Sequence, residues 1–422
     1  MNFTDLTCEY DLIVIGGGLS GVAAAVAAKR QGLSVLLIEQ NGSLGGALSN
    51  NCVYPFMNYK YVTKSGEIEP LSAGIFAEMI ARHRELGGDT ERGWQPEIFK
   101  IMLDGLVVEA GVDVLFHTKL IGAQTIDREI TSITAVSKSG IIHLKAKFYV
   151  DSSGDGELLA MSGCDYVLGR ESDNLCQPMT TCFRVANVDT DLYMKDRAKL
   201  QALYKEKQSA GEITNPRENI LMTGEVGRGI LNFNTTRVVR LNPLNPIDLS
   251  YAEIEARRQV LEMYNFLCNN SEAFKNSVLV YVGHEVGVRE SRKLKGAYVL
   301  TADDLKSLRI FPDSIALGNY EIDIHNPEGG GTTIHYFSTS TYYSIPYRSL
   351  LPNELDNLLV AGRCLSATHE AHSAVRIMPI CACMGEAAGT AVAEAVHTSK
   401  NVHTLDISTV QNTLERNGAF IR

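Results

Sequence analysis

Tyr10–Glu39, YDLIVIGGGLSGVAAAVAAKRQGLSVLLIE, decides the fold of this chain. Leu12–Ile15 is short, apolar and β-branched, as a buried strand requires. Gly16, Gly18 and Gly21 follow at G-x-G-x-x-G spacing on the turn into a helix. Gly16 allows the tight turn, Gly18 lets a pyrophosphate approach the backbone, and Gly21 lets the helix pack closely on the strand. The helix N-terminus then offers free N–H groups and a positive dipole end to phosphate. Small residues from Ala23 to Ala28 suit a helix pressed against a sheet, and Gly32 is placed to end it. Val35–Ile38 is a second strand with Glu39 at its tip, where a carboxylate accepts hydrogen bonds from a ribose 2′-OH and repels a 2′-phosphate. The unit reads as a dinucleotide site.

Working outward, Gly45 and Gly46 again permit close backbone approach. Ala73–Leu86 and Pro96–Ala110 have helical spacing, and His83 in the first reads as a surface or boundary residue. Short strands from Val112 to Val150 read as a β-meander that returns to the main sheet. The return ends in DSSGDG, Asp151–Gly156, a small-residue turn with an acid at the end of a strand. Such a turn suits phosphate or ribityl contacts, and it equally suits an ordinary turn with Asp155 as N-cap. From about Gly169 the composition changes and the glycine turns disappear until the C-terminus. Ser250-x-x-Glu253 and Thr301-x-x-Asp304 read as helix-opening capping motifs. HEVGVRESRKL, His284–Leu294, is dense in charge: Arg289 and Arg292 flank Glu290, either as an ion-pair cluster or with Arg289 as an anion clamp. His325 lies in the loop-like DIHNPEGGGT. NLLVAG, Asn357–Gly362, is a buried strand followed by Arg363, His369, His372 and Arg376. Met384–Val396 reads as a helix with Gly385 and Gly389 on one side, and Asp406–Gly418 as a last amphipathic helix.

At 422 residues the chain can bury a large core in more than one domain. Its 45% hydrophobic and 21% charged content is ordinary for a globular protein, and a net charge of −10 without a basic tract argues against a nucleic-acid partner. The apolar run Leu12–Ala28 contains three consecutive glycines and follows acidic residues, so it reads as neither a membrane span nor a signal peptide. A cytoplasmic protein is expected. Nine cysteines show no C-x-x-C pair, so no metal is expected. Cys176 and Cys182 could approach one another in a loop, and Cys52 reads as a packed thiol.

Three blocks together resemble the glutathione-reductase-type FAD fold: GGGLSG with Glu39, the DSSGDG turn, and NLLVAGR followed by GEAAG. The chain is similar throughout to the broad family of FAD-dependent oxidoreductases, a relative of the fumarate reductase and succinate dehydrogenase flavoproteins. LGGALSNNCVYPFM, GVRESRKLKGAYVLT, IPYRSLLP and NLLVAGRCLSATHEAHSAVRIMPICACMGEAAG carry that likeness. The resemblance implies an α/β chain: a Rossmann-like three-layer FAD-binding domain, with parallel sheet and β-meander, and an inserted α+β substrate domain. Residues 1–168 and 351–422 would form the FAD-binding domain and residues 169–350 the substrate domain. FAD would be held non-covalently. Gly16, Gly18 and Gly21 would hold the pyrophosphate and Glu39 the adenosine ribose. Gly45, Gly46 and Ser49 would lie along the ribityl and flavin, and the Leu120 backbone would meet the adenine. Gly154 and Asp155 fit the second motif, and Gly362, Arg363, Gly385, Ala388 and Gly389 the third.

The expected activity is hydride transfer between flavin N5 and a small polar metabolite, of hydroxy, carboxylate or sugar-like type, with an electron acceptor or donor that the sequence does not name. A substrate hydroxyl needs a base, and histidine is the usual one. His369 is the first candidate, with His325 and His284 behind it; Arg376 and Arg289 are candidate anion groups. The alternative is an FAD-binding subunit with a non-redox or electron-transfer role beside a partner protein, since no iron–sulfur, haem or second dinucleotide motif is present. A first site that binds NAD alone is disfavoured by the two later blocks.

Overall fold

The computed structural model describes residues 9–422. Its centre is a five-stranded parallel sheet in the order Leu358–Val360, Ala146–Asp151, Tyr10–Ile15, Val35–Ile38, Asp113–Leu115. The first strand is therefore central. The chain moves one way to Val35–Ile38 and later the other way to Ala146–Asp151, so the strand order reverses at the ends of these strands. That reversal opens a crevice at their carboxyl ends.

Alternation along the first strand builds the layers. Leu12 and Val14 point into one cluster with Val22 and Val26 of helix Leu19–Arg30 and with Ala387 and Ala391 of helix Met378–Thr398. Ile13 and Ile15 point into another with Leu120, Ile133 and Leu144 of the meander Lys119–Ile126, Glu129–Ser137, Gly140–Leu144. The expected three-layer arrangement of helices, parallel sheet and β-meander is present. Asp113–Leu115 joins the main sheet rather than the meander.

Between the strands that end at Asp151 and begin at Leu358 lies a four-stranded antiparallel sheet, ordered Met222–Gly227, Ile230–Phe233, Phe183–Ala186, Val278–Val282. Helices Thr190–Ser209 and Pro246–Asn270 contribute Tyr193, Leu200, Val260 and Met263 to its core. An antiparallel pair follows, Ser314–Gly318 with Tyr343–Pro346, and the hairpin Ile322–His325 with Thr332–His335 lies between its strands in sequence. Leu300, Phe311, Ile315 and Tyr343 pack in the same cluster as the helices on the parallel sheet.

Several local readings change. Helix Pro246–Asn270 is capped by the Asn245 side chain, with proline at its start, so Ser250 lies inside it. The Thr301–Asp304 capping box is present. The helix read from Met384 begins at Met378, because Pro379 at its first turn favours helix entry there. His83 is buried rather than peripheral, and its ring hydrogen-bonds to Gln95 O. Among the described residues all eight cysteines are free thiols, Cys176 and Cys182 included. No single helix among the described residues is long and apolar enough to cross a membrane. Helices His369–Val375 and Met378–Thr398 have the composition jointly but meet at 91°.

Candidate active site

A cleft of about 1340 Å³ follows the carboxyl ends of the parallel strands and continues to the antiparallel sheet and the Ile322–His325 hairpin. At its first end lie Gly16, Gly18, Glu39, Gly45, Gly46, Gly154, Asp155, Gly362 and Arg363. Gly16 has φ +97°, and a Cβ there would meet Ser152 O at 2.5 Å. A Cβ on Gly18 would meet nothing within 4 Å, so the space above its backbone is open. The helix that starts at Leu19 has no capping side chain and no acid in its first turn. Its first N–H groups are therefore left for an anion. Glu39 Oε2 accepts from Gly17 N at 2.6 Å and Oε1 from Asn41 N at 2.7 Å. Burial pushes its carboxyl up against these N–H groups, which pull it down. An open glycine cradle, an uncapped helix and an oriented carboxylate are the donor and acceptor set that FAD needs, so these residues fit the group.

Arg363 and Asp155 serve each other. Arg363 Nη2 donates to Asp155 Oδ1 at 2.8 Å and Nη1 to Ser291 Oγ at 3.2 Å; Ser291 Oγ donates to Asp155 at 2.6 Å. Burial raises the Asp155 carboxyl, yet Arg363 and Ser291 hold it below the usual range. Asp155 is thus no N-cap; that position is Gly156.

Other expected cofactor residues sit behind the cleft wall. A Cβ on Gly21 would lie 1.8 Å from Gly16 O, so Gly21 serves turn–helix packing. Gly385 and Gly389 would place a Cβ 1.9 Å from Ser20 O and 2.1 Å from Ala24 O, so they let the long C-terminal helix meet the first helix, with Ala388 buried beside them. Ser49 Oγ donates to Leu44 O at 2.6 Å. Leu120 is buried in the meander core, and its neighbour Lys119 lines the cleft.

The second end of the cleft holds Arg289, Arg376 and His325, with Tyr320, Asp323 and Arg217. His369, the first catalytic expectation, is not there. Its Nδ1 lies 2.8 Å from Glu290 Oε2 in a buried cluster, where Glu290 also pairs with Lys293. His284 is absent from the cleft lining as well. His325 is present but both ring nitrogens are engaged. Nδ1 lies 3.2 Å from Arg237 Nη2, and arginine can only donate, so Nδ1 is the acceptor. The proton is then on Nε2, 3.2 Å from Asp323 Oδ2. Burial, then Arg289, pushes the His325 pKa down to about 3, so the ring is neutral.

Asp323 Oδ2 also accepts the Tyr320 hydroxyl at 3.0 Å. Burial raises the Asp323 carboxyl, but the His325 N–H, Arg376 and Tyr320 together hold it well below the ordinary range. Its Oδ1 has no partner among the described residues. The sequence reading missed Asp323, Tyr320, Arg217 and Arg237. One signal was available: in Ile322–His325, Asp323 and His325 stand two apart, on the same face of a strand.

A sequence model described as FAD dependent oxidoreductase matches residues 11–414. The digeranylgeranylglycerophospholipid reductase of Thermoplasma volcanium is 23% identical over 197 residues, covering 43% of this chain and 48% of that protein. The soluble pyridine nucleotide transhydrogenase of Mycobacterium tuberculosis is 29% identical over 137 residues, covering 30% of this chain and 29% of that protein. These matches span about half or less of the relatives' length. Among solved structures, a geranylgeranyl bacteriochlorophyll reductase-like protein from Thermoplasma acidophilum aligns over 97% of this chain and 84% of its own, at 13% identity and TM-score 0.48. An L-proline dehydrogenase from P. horikoshii aligns over 98% and 99%, at 13% identity and TM-score 0.45.

Proposed function

Since the chain belongs to the FAD-dependent oxidoreductase family and is a redox enzyme with FAD as its cofactor, we propose that it transfers a hydride between flavin N5 and a small polar metabolite bound at the second end of the cleft. FAD supplies the hydride chemistry; this chain's residues bind, orient and manage the proton. The observation that carries the reading is the continuity of one cleft from the uncapped first helix to the Tyr320–Asp323–His325 group.

Gly16, Gly18 and the N–H groups after Gly18 would hold the pyrophosphate, and Glu39 the ribose hydroxyls. Gly45, Gly46, Gly154 and Gly362 would line the rest, with Arg363 fixed by Asp155. At the far end Asp323 Oδ1 is the proton acceptor for a substrate hydroxyl, or returns the proton in the reverse direction. Its other oxygen is fixed by Tyr320 and His325. His325 is a positioning residue: Arg237 on Nδ1 sets the tautomer that lets Nε2–H hold Asp323. Because Asp323 is strongly held as the anion it is a weak base, and its contribution rests on how its free oxygen is oriented toward the substrate hydroxyl.

Anaerobic titration of the purified holoprotein with candidate substrates, read as flavin bleaching, tests this. Asp323→Asn should retain FAD and slow bleaching by about 10²–10⁴-fold, the usual worth of a general base. Bleaching of Asp323→Asn at the wild-type rate would refute the assignment. Turnover by the isolated chain with an artificial acceptor separates this reading from that of a subunit dependent on a partner; no turnover without a partner would favour the latter.

A further inference from the structure

Among the described residues, three guanidinium groups at the second end of the cleft stand in no direct ion pair, although Arg376 and Arg217 act at longer range on Asp323 and Glu218. Arg289 Nη1 donates to Pro178 O at 2.6 Å and Thr180 Oγ1 at 2.7 Å, and Nη2 to Asn234 Oδ1 at 3.4 Å. Arg217 is buried, and its Nε donates to Asn219 Oδ1 at 3.0 Å. The Arg376 Nε is buried with no hydrogen-bond partner. The close contacts nearby involve other groups: an ion pair of Arg237 with Glu218 at 3.3 Å, and a hydrogen bond from neutral His325 to Asp323 at 3.2 Å. All three unpaired arginines line the same cleft.

The charge balance there is short of anions. Three guanidiniums, of Arg217, Arg289 and Arg376, and three carboxyls, of Glu218, Glu321 and Asp323, line this end, with Arg237 buried behind them. Glu218 is engaged with Arg237, and Asp323 with His325 and Tyr320. Burial, helped by Asp323, raises the Glu321 carboxyl above its ordinary value. Burial first, and Arg376, Arg217 and Arg237 after it, press the Arg289 pKa down to about 9. A half-buried cation among other cations with only neutral acceptors is costly to the fold, and an anion placed among them reduces the cost. Arginine's planar fork also matches the two oxygens of a carboxylate or phosphate. Met57, Leu221, Met222 and Ile377 line the cleft too, so the remainder of such a ligand meets apolar walls.

We propose that Arg217, Arg289 and Arg376 form the binding site for an oxyanion, carboxylate or phosphate, carried by the substrate. This rests on the reading that the second end of the cleft is the substrate site. It narrows the small polar metabolite to an organic anion and makes uncharged sugars and alcohols poor ligands.

The test is equilibrium binding to the FAD-loaded protein by calorimetry, which requires no turnover. Succinate and malonate form the carboxylate arm, inorganic phosphate and glycerol 3-phosphate the phosphate arm, and succinamide and glucose the uncharged arm. At least one oxyanion should bind with Kd below about 1 mM. The uncharged compounds should bind at least about 10-fold more weakly, and Arg217→Gln and Arg289→Gln should each weaken oxyanion binding about 10-fold or more, with Arg289→Lys between them and wild type. FAD absorbance and melting temperature of each variant establish that it is folded and loaded. Failure of every oxyanion to bind with Kd below about 1 mM would overturn the proposal; so would unchanged affinity in folded Arg→Gln variants. If oxyanions bind as stated while no compound bleaches the flavin, the site stands and the redox reading falls. If an uncharged compound bleaches the flavin and no oxyanion binds, the redox reading stands and the site falls.

Discussion

Replacing Glu386 by glutamine should remove a pH-dependent weakness of the fold. Glu386 lies in the helix Met378–Thr398, 2% exposed, and its Oε2 accepts Ile75 N at 2.8 Å. That N–H opens helix Ile75–Glu85, whose N-cap is Gly74 and which has no capping side chain of its own. Burial pushes the Glu386 pKa up to about 7 from 4.5, with Ile75 N–H and Arg30 pulling it down only in part. A carboxyl raised in the folded state contributes stability that is fully present below the unfolded value and lost as pH rises through the folded one. Between those values the unfolded chain has released a proton that the folded chain keeps, so stability falls by about 1.4 kcal/mol per pH unit. Across the whole interval this amounts to about 3 kcal/mol. Glutamine preserves an acceptor for Ile75 N and cannot titrate. Its amide N–H groups add a cost that does not depend on pH. Glu157, which burial also raises to about 7, is unchanged in the variant and cancels in the comparison. The difference in stability between variant and wild type should therefore shift by about 2–3 kcal/mol in favour of the variant from pH 5 to pH 8. Taking about 2.1 cal/mol/K per residue, this is about 3 °C in melting temperature. Thermal unfolding of the FAD-loaded proteins at the two pH values measures it. A difference that is the same at pH 5 and pH 8 would show that the buried carboxyl does not titrate as described.

Further outcomes follow from the same geometry. Gly385→Ala places a methyl group 1.9 Å from Ser20 O and should cost at least about 1–3 kcal/mol with partial loss of FAD; Gly105→Ala, which meets open space within a helix, should instead stabilise by about 0.5–1 kcal/mol. Melting temperature and flavin content of the two variants check the pair. Glu39→Gln should weaken FAD binding about 10–100-fold, since hydrogen bonds to charged groups are worth about 1.5–3 kcal/mol, as measured by recovery of flavin fluorescence on dilution. His325→Gln should lower turnover about 10–100-fold, comparable to other losses of an orienting partner, with flavin absorbance per protein unchanged.

The parts of this molecule that were legible in the sequence are local. Gly16, Gly18, Gly21 and Glu39 fall within one strand–helix–strand unit, so spacing alone fixes their relation. The meander strands and the final amphipathic helix, Ile407–Arg416, are likewise set by short-range periodicity. What escaped depends on distant partners. His369 looked available because Glu290, its carboxylate neighbour, is far along the chain. Asp155 suited a cofactor turn and a helix cap equally because Arg363, which engages it, comes much later. Gly385 and Gly389 fit a cofactor motif because glycine signals close approach without saying to what; here the close neighbours are the carbonyls of Ser20 and Ala24. The three arginines at the second end of the cleft come from positions 217, 289 and 376, and no window of sequence contains them.

The order of the parallel sheet also governs how the chain can be made. Val150 pairs with Leu359, and Tyr149 with Leu358. At roughly 5–20 residues per second, a ribosome needs roughly 10–40 s to travel from one partner to the other. Throughout that interval the Ala146–Asp151 strand is a nascent sheet edge with unpaired N–H and C=O groups and an apolar sequence. Any release of the chain before residue 358 would leave that edge permanently uncovered. Expression fragments that stop short of the last strand should therefore aggregate rather than yield a soluble nucleotide-binding half, however complete their glycine motifs.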